Sequence, residues 1–555
     1  MKAIFFLTPL VLLTALPCLA QEKVDMDMMA RIREEGLNRS QLPETLSYLT
    51  EVIGPRLTGS PGLLRANEWT KSKLTGWGLV NGKLEPWGPF GRGWTCEKFS
   101  LTVTGPTPFT VISCPKAWSP SVKAKGELVY LDVTDAAGLD AYKGKLKGKV
   151  VLFGALRPVA AHFTAQGERY TDEQLAALSQ PQAPRPGGGG GFPGGGRPGG
   201  AGAGAGNFAQ QLNLQRVIQT FLKTEGVAAV LDAGRGDGGT VFVQQATVVP
   251  PPAPPTPPTP PADGQPGPGA GGPFGGGGAA ARRISPWKKE ADGKIVPQIA
   301  VSAEHFNRLA RMVKAGEKVQ VDLELKTKLN GNDDSMVSNT TAEIPGSDKA
   351  DEIVMCGGHL DSWHGGTGAT DNAAGVSVGM EAVRILKALG VKPRRTIRIG
   401  LWTGEEQGIF GSTAYVREHF GTASTPKPEY DKFSAYFNLD NGTGKIRGVW
   451  CQGNDAVMPI FSEWLKPFSD LGATTVTRRN TGGTDHLPFD SAGLPGFQFI
   501  QDTIEYDTRT HHSNQDTFDR IQIDDMKQAA VVMAAFLYNA SMRDDKLPRK
   551  MSFVR

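Results

Sequence analysis

One pattern between residues 335 and 542 constrains the fold of this 555-residue chain more than any other. Short apolar runs alternate there with segments that repeat apolar residues at helical spacing. The runs predict buried strands at Ile353–Cys356, Thr396–Trp402, Ala435–Leu439 and Phe497–Ile500, and the repeats predict helices at Asn372–Leu389 and Asp525–Met542. This alternation predicts an α/β domain with a mixed, mainly parallel central sheet flanked by helices.

Acidic residues and histidines follow the carboxyl ends of these predicted strands or stand where the first helix begins. In chain order the candidates are His359, Asp371, Glu405, Glu406, Asp440 and the pair His511–His512. In open α/β sheets the carboxyl ends of the strands meet along one edge, where binding sites form. We therefore expect these side chains to converge at one place.

Converging carboxylates repel each other unless a cation lies between them. Imidazole nitrogen and carboxylate oxygen are ligands that suit zinc. Three carboxylates and two imidazoles, with one residue taken from each adjacent pair, make five ligands, which are too many for one open catalytic zinc, so the set predicts two Zn²⁺ ions that share a carboxylate. The adjacent acids Glu405 and Glu406 then have separate tasks, one on the proton and one on the metal.

Five short motifs occur in order along this region: Gly358–Trp363, Gly368–Asn372, Trp402–Gly408, Asn438–Asp440 and His512–Thr517. They resemble the di-zinc aminopeptidase and carboxypeptidase family of zinc metallopeptidases, and within it the plasma glutamate carboxypeptidase (carboxypeptidase Q) branch. The turn Gly54–Ser60 and the segment Leu386–Thr396 are similar to the same branch. The resemblance covers most of the chain outside its low-complexity runs.

The resemblance implies a zinc exopeptidase fold with an inserted β-rich protease-associated domain, and a role for each ligand. Asp371 would bridge the two Zn²⁺ ions. His359 and Asp440 would complete one metal site, and Glu406 and His512 would complete the other.

The resemblance also implies roles beside the metals. Glu405 would be the general base, and Asp361 would orient the first imidazole through its second ring nitrogen. The choice of His512 over His511 rests on its spacing to the Asp-Thr pair that follows. His486 is a candidate for substrate binding or for stabilising an oxyanion, with a purely structural role as the alternative.

The chain divides by composition into several parts. Residues 1–20 have the features of a signal peptide, which predicts a secreted or periplasmic protein, and Cys18 leaves a lipoprotein signal as the alternative. The predicted units are the N-terminal part of the catalytic domain (21–105), a protease-associated domain (106–328), the main peptidase domain (329–545) and a tail (546–555). Gly- and Pro-rich inserts at 185–206 and 249–281 are expected to be mobile loops.

Four cysteines remain after the predicted signal. Cys96 and Cys114 lie close enough in sequence to form a disulfide, although four cysteines allow three pairings. Cys356 lies in an apolar run, where a buried free thiol is expected. The absence of a CxxC motif argues against a thiolate zinc site.

Charge and hydropathy limit the partners. The net charge of +4 provides no basic field suited to nucleic acid, and no segment after the predicted signal is long and apolar enough to span a membrane. A peptide substrate is the expected partner, and a homodimer is among the states that the sequence allows.

The predicted function is hydrolysis of short peptides or dipeptides by a zinc exopeptidase. A broad-specificity aminopeptidase is the main alternative to a carboxypeptidase or dipeptidase, because the metal motifs are shared. The sequence also leaves open a glutaminyl cyclase-like transferase with one zinc, an inactive receptor-like relative, and a binding module formed by the middle domain alone. It specifies neither the terminus attacked nor the preferred side chain.

Overall fold

The computed structural model describes residues 22–180, 205–249 and 284–550. The predicted signal, nearly all of both Gly/Pro-rich inserts and residues 551–555 of the tail lie outside these ranges.

The described strands, in chain order, are β1 Val80–Trp87, β2 Gly93–Gly105, β3 Phe109–Thr110, β4 Ser113–Pro115, β5 Val122–Leu131, β6 Val150–Phe153, β7 Ala229–Ala233, β8 Gln298–Val301, β9 Gln320–Asn330, β10 Val337–Ile344, β11 Lys349–His359, β12 Arg395–Trp402, β13 Gly421–Thr422, β14 Thr425–Pro426, β15 Phe433–Asn438, β16 Ile446–Trp450, β17 Thr475–Thr477 and β18 Gly496–Gln501. The described α-helices are α1 Met26–Asn38, α2 Leu42–Ser47, α3 Pro61–Gly76, α4 Asp172–Ser179, α5 Ala205–Glu225, α6 Ala303–Lys314, α7 Ala374–Ala388, α8 Phe410–His419, α9 Met458–Leu465, α10 His486–Ser491 and α11 Ile523–Met542.

The first sheet contains all four strands predicted in the main domain. Its order is β1-β10-β12-β11-β15-β18-β16-β17. The four central strands β12, β11, β15 and β18 run parallel, whereas β1, β10 and β16 join the sheet through antiparallel pairs. The predicted fold class, α/β with a mixed and mainly parallel central sheet, is confirmed.

Strand β11 shows why this sheet is covered by helices on both faces. Successive side chains of a strand point to opposite faces. Val354 and Cys356 are buried in the cluster formed with α7 and α11, and Ile353 and Met355 are buried in an aromatic cluster with α8 and α10. A strand buried on both faces reads as a continuous apolar run, which is the pattern seen in the sequence.

Helix α7 approaches the sheet closely because small residues line its first turns. A Cβ atom at Gly375 would lie 2.2 Å from the carbonyl oxygen of Leu439, so only glycine fits there. The contact brings the start of α7 against the loop that follows β15. It therefore places Asp371, before the helix, near Asp440, after the strand.

The second sheet lies between residues 93 and 330 and has the order β3-β2-β9-β5-β6-β7-β8-β4. Strands β5 to β8 run parallel, and β2 pairs with β9 over almost its whole length. Residues 93–105 thus belong to this sheet, although the sequence placed them with the N-terminal part of the catalytic domain. The sheet has its own buried core, in which Phe306 and Leu309 of α6 pack on Leu152 and Leu231.

Two further expectations concern the state of the cysteines and whether any helix could span a membrane. Cys356 is fully buried, as its apolar surroundings predicted, and Cys96 and Cys114 are free thiols. Within the described ranges, no helix has the length and apolar character needed to cross a membrane.

A charged cluster connects β1, at the edge of the first sheet, to the end of α8. His419 Nε2 lies 2.7 Å from Glu85 Oε2, and His419 Nδ1 lies 3.3 Å from Glu429 Oε2. Burial raises the pKa of both acids, but hydrogen bonds from His419, together with one from Thr341 to Glu85 and one from Arg398 to Glu429, outweigh it and lower each pKa to about 2. Burial lowers the pKa of His419, and the two acids together raise it above its usual value.

We expect His419→Gln to lower the free energy of unfolding most strongly between pH 4.5 and 6.5, the unperturbed values of the acids and the histidine. The lowered pKa values of the acids stabilise the fold above pH 4.5, and this contribution is lost as the pH falls toward 2. The raised pKa of His419 stabilises the fold below pH 6.5, and this contribution is lost as the pH rises through the folded value. Urea unfolding should show a difference of about 1 kcal/mol inside this window and less outside it. An equal difference at about pH 9 would contradict this account.

Candidate metal centre

Strands β11 and β12 of the first sheet end at the same level, and β15 ends two residues earlier. In the pairing of β11 with β12, His359 lies opposite Trp402, and in the pairing of β11 with β15, Gly357 lies opposite Asn438. The residues that follow these ends therefore emerge along one edge of the sheet, as the sequence predicted. That edge holds all five of the predicted metal ligands.

Three of these side chains form one group. His359 Nε2 lies 3.2 Å from Asp371 Oδ1 and 3.5 Å from Asp440 Oδ2. One ligand atom from each residue lies within 4.8 Å of the other two. All three side chains are almost fully buried. This is the trio that the sequence assigned to one metal site.

The other predicted ligands lie on the far side of Asp371. His512 Nε2 lies 2.9 Å from Glu406 Oε2 and 3.2 Å from Asp371 Oδ2. His511 Nε2 is farther away, at 3.9 Å from the same Asp371 oxygen, and its ring stacks on Tyr506. The distances favour His512 over its neighbour, and Asp371 faces both groups with one oxygen each.

The pKa shifts of the two imidazoles show that the surrounding acids favour positive charge in this pocket. Burial lowers the pKa of His512, but Glu406 and Asp371 outweigh it and raise that pKa to about 10. Burial likewise lowers the pKa of His359, and Asp440 and Asp371 raise it well above its usual range. In both cases the surrounding acids favour positive charge at the imidazole, and a metal ion bound to these nitrogens would supply that charge.

Two buried oxygens test whether these residues fit zinc. Glu406 Oε1 is buried and, among the described residues, has no hydrogen-bond partner, and buried Asp371 Oδ2 makes no hydrogen bond of good geometry beyond its approach to the His512 imidazole. A buried carboxylate oxygen without a partner costs free energy unless a cation binds it. Together with imidazole nitrogens directed at the same points, these oxygens form a donor set that zinc accepts. The residues therefore fit a zinc centre.

Glu405 lies beside this cluster on the turn after β12. Burial raises its pKa well above the usual range, and the nearby acids Asp485 and Asp440 add to that rise. Its backbone N–H donates to Asp361 Oδ1 at 3.3 Å, and the next N–H donates to Asp361 Oδ2 at 3.4 Å. Asp361 thus fixes the turn that carries both glutamates.

The contact between Asp361 and His359 differs in its atoms from the one expected. His359 Nδ1 lies 3.0 Å from the backbone carbonyl oxygen of Asp361 and 3.7 Å from its carboxylate. The carbonyl is therefore the hydrogen-bond acceptor for this ring nitrogen. The carboxylate instead accepts from Thr58 at 2.9 Å, within the polar turn Gly54–Ser60.

His486 lies under the site. Its side chain is fully buried, and its Nε2 faces the Gln452 amide at 2.9 Å and the Thr481 carbonyl at 3.2 Å. Burial lowers the pKa of His486 to about 4, so the ring is neutral. Its Nε2 contacts protein groups, and contact with a substrate stays a prediction.

Arg56 is a site residue whose role sequence reasoning missed. The side chain is fully buried, and its guanidinium donates to the carbonyl oxygens of Leu49, Gly54, Leu360, Thr367 and Gly368 at 2.7 to 3.2 Å. Burial lowers the pKa of Arg56 to about 10, while Asp516 and other acids of the site oppose that shift. The arginine holds together the loops on either side of the motif Gly358–Trp363. The polar turn Gly54–Ser60 was the only sequence signal for it.

Known peptidases share the sequence around this metal cluster. The model for peptidase family M28 matches residues 339–537, which include every residue of the cluster. This part of the chain is similar to peptidase family M28. A region of 254 residues is also 35% identical to carboxypeptidase Q from Mus musculus, and it covers 46% of this chain and 52% of that protein. The chain thus spans about half the length of the relatives that it matches.

Two solved peptidase structures share the fold over most of the chain. A peptidase M28 precursor from Shewanella amazonensis has a TM-score of 0.61 at 21% identity and covers 94% of this chain and 98% of its own. A zinc aminopeptidase from Bacillus subtilis has a TM-score of 0.53 at 16% identity, with 91% and 96% covered. At these identities the likeness supports the fold alone.

We expect Arg56→Lys to destabilise the fold by about 3 kcal/mol or more, because one ammonium group cannot reach five carbonyls and leaves buried acceptors unpaired. Chemical unfolding followed by tryptophan fluorescence measures the change. Arg65→Lys is the matched control, since Arg65 is exposed and donates only to Val52 O. Equal effects of the two substitutions would contradict the role of Arg56.

Proposed function

We propose that this protein is a zinc-dependent exopeptidase that hydrolyses short peptides or dipeptides. The observation that carries the proposal is the convergence of five zinc-type ligands on four adjacent strand ends, with Asp371 facing both halves of the cluster and Glu405 beside it. His359, Asp371 and Asp440 would hold one Zn²⁺, and Glu406, His512 and the shared Asp371 would hold the other. The M28 match and the named relatives support the same class of reaction.

Zinc, when bound, supplies Lewis acidity that polarises a peptide carbonyl and makes water a stronger acid. Glu405 would accept the proton of the attacking water and deliver it to the leaving amine. A half-buried carboxylate beside the ligand cluster is placed to accept the proton and to hold it between the two steps. Asp361, through the two backbone N–H groups, would keep Glu405 in place.

The rest of the chain extends the proposal. The second sheet would correspond to the protease-associated domain expected between residues 106 and 328. Export as a secreted or periplasmic protein rests on the predicted signal at 1–20, which lies outside the described residues. Whether the enzyme acts as a carboxypeptidase, a dipeptidase or an aminopeptidase is decided by substrates with one terminus blocked.

We expect Glu405→Gln to lower kcat on a dipeptide by about 100- to 10,000-fold while zinc stays bound, because the amide cannot take the proton. Steady-state kinetics and metal analysis of the same sample check this. Glu418→Gln, an exposed acid-to-amide change in α8, is the control and should keep full activity. Full activity of Glu405→Gln with metal bound would exclude Glu405 as the base.

We also expect two Zn²⁺ per chain, removal of activity by a chelator and its recovery with added zinc. Asp371→Asn should weaken binding of both ions, because its two oxygens face both groups of ligands. Elemental analysis after dialysis measures the stoichiometry. A single Zn²⁺ per chain, together with no cleavage of any free or terminally blocked di- or tripeptide, would favour transferase chemistry instead.

A further inference from the structure

A segment of the second sheet's region forms part of the metal-ligand loop. Between β7 and β8, Val243 N donates to His512 O at 2.8 Å, and Asn514 N donates to Val241 O at 3.1 Å. Phe242 and Ser513 form an antiparallel bridge between these two hydrogen bonds. The residues around His512 are therefore paired like a strand with a segment about 270 residues earlier.

This pairing holds His512 in an unusual backbone conformation. Its φ is 61°, in the left-handed region that residues other than glycine seldom adopt. Such a conformation persists only where surrounding contacts fix it. The bond from Val243 to its carbonyl and the edge-on contact of its ring with Trp363, with ring centres 6.0 Å apart, are contacts of this kind.

The ring itself has one further polar partner. Its Nε2 faces Glu406 and Asp371, so the other ring nitrogen, Nδ1, points away from the metal cluster. The side-chain amide of Gln244 lies next to Nδ1, with its nitrogen Nε2 at 3.0 Å. Gln244 follows Val243 directly and is exposed, so its side chain is not part of a packed core.

The contact with Gln244 bears on which ring nitrogen of His512 carries a proton. An imidazole that binds a metal through Nε2 carries its proton on Nδ1, and that N–H needs an acceptor. The carbonyl oxygen of the Gln244 amide is such an acceptor, since the oxygen and nitrogen of the amide exchange places by a half-turn of its last bond. The amide would thus select the tautomer of His512 that can bind zinc.

We propose that Gln244 is a positioning residue for the metal centre, contributed by the region of the second sheet and acting on zinc through the Nδ1 of His512. The proposal rests on the proposed zinc function. It makes the second sheet's region a part of the metal site.

The test compares substitutions at Gln244 with the same substitutions at Gln245, its exposed neighbour. Zinc affinity is measured in the full chain by competition with a chelating dye, and the thermal stability of the zinc-free protein is measured alongside. Methionine has a similar length but accepts only a weak hydrogen bond, whereas glutamate keeps an acceptor oxygen at the same place.

We expect Gln244→Met to weaken zinc binding by about 10- to 100-fold without changing the stability of the zinc-free protein. Gln244→Glu should restore binding at least to the wild-type level, and by more than any gain that Gln245→Glu produces through charge alone. Gln245→Met should bind zinc like the wild type.

Zinc binding by Gln244→Met at wild-type affinity would overturn the proposal, as would an equal loss in Gln245→Met. A loss of zinc-free stability in Gln244→Met that accounts for the weaker binding would also overturn it. The failure of the zinc function itself is distinguishable, because the wild-type protein would then bind no zinc in the first measurement.

Discussion

Much of this structure depends on how a group of buried carboxylates is neutralised at one edge of the first sheet. Asp361, Asp371, Asp440, Asp485 and Asp516 are almost fully buried there, with Glu405 and Glu406 beside them. Carboxylates in a water-poor pocket repel each other and lose hydration, so each one needs a hydrogen bond, a proton or a cation. The fold supplies backbone N–H groups to Asp361 and Asp516, and imidazoles to Asp371.

Arg56, in the N-terminal part of the chain, also helps to neutralise these buried acids. Its guanidinium adds a fixed positive charge near Asp516 and Asp361, and it bonds the carbonyls of the loops that lead from β11 toward Asp371. A charge that is fully bonded to carbonyls on several loops makes the loop positions interdependent. The N-terminal segment is thus required for the geometry of a site whose ligands all lie after residue 358.

The sequence was sufficient to predict the central sheet and the convergence of the ligands, because both follow from local patterns. Apolar runs mark strands buried on both faces, and parallel strands bring their carboxyl ends to one edge. The short strands Ile446–Trp450 and Thr475–Thr477 were not predicted, since their positions depend on pairing and not on a local pattern. The acceptor for His359 Nδ1 could not be predicted either. It is a backbone carbonyl, which every residue type has, so the sequence does not mark it.

Arg56 and Gln244 were missed for a related reason. Arg56 acts on backbone carbonyls, and Gln244 reaches its partner across a pairing of segments 268 residues apart. Neither contact produces a motif or a residue spacing that could be recognised in a single sequence. Arg56 bonds to loops that carry predicted metal ligands, and Gln244 contacts the ring of one of them, so the types of these residues are encoded locally while distant segments help to set their positions. Loops alone could not hold buried acids and imidazoles 3 to 4 Å apart against their ordering entropy, and long-range bonds to otherwise separate parts of the chain provide that constraint.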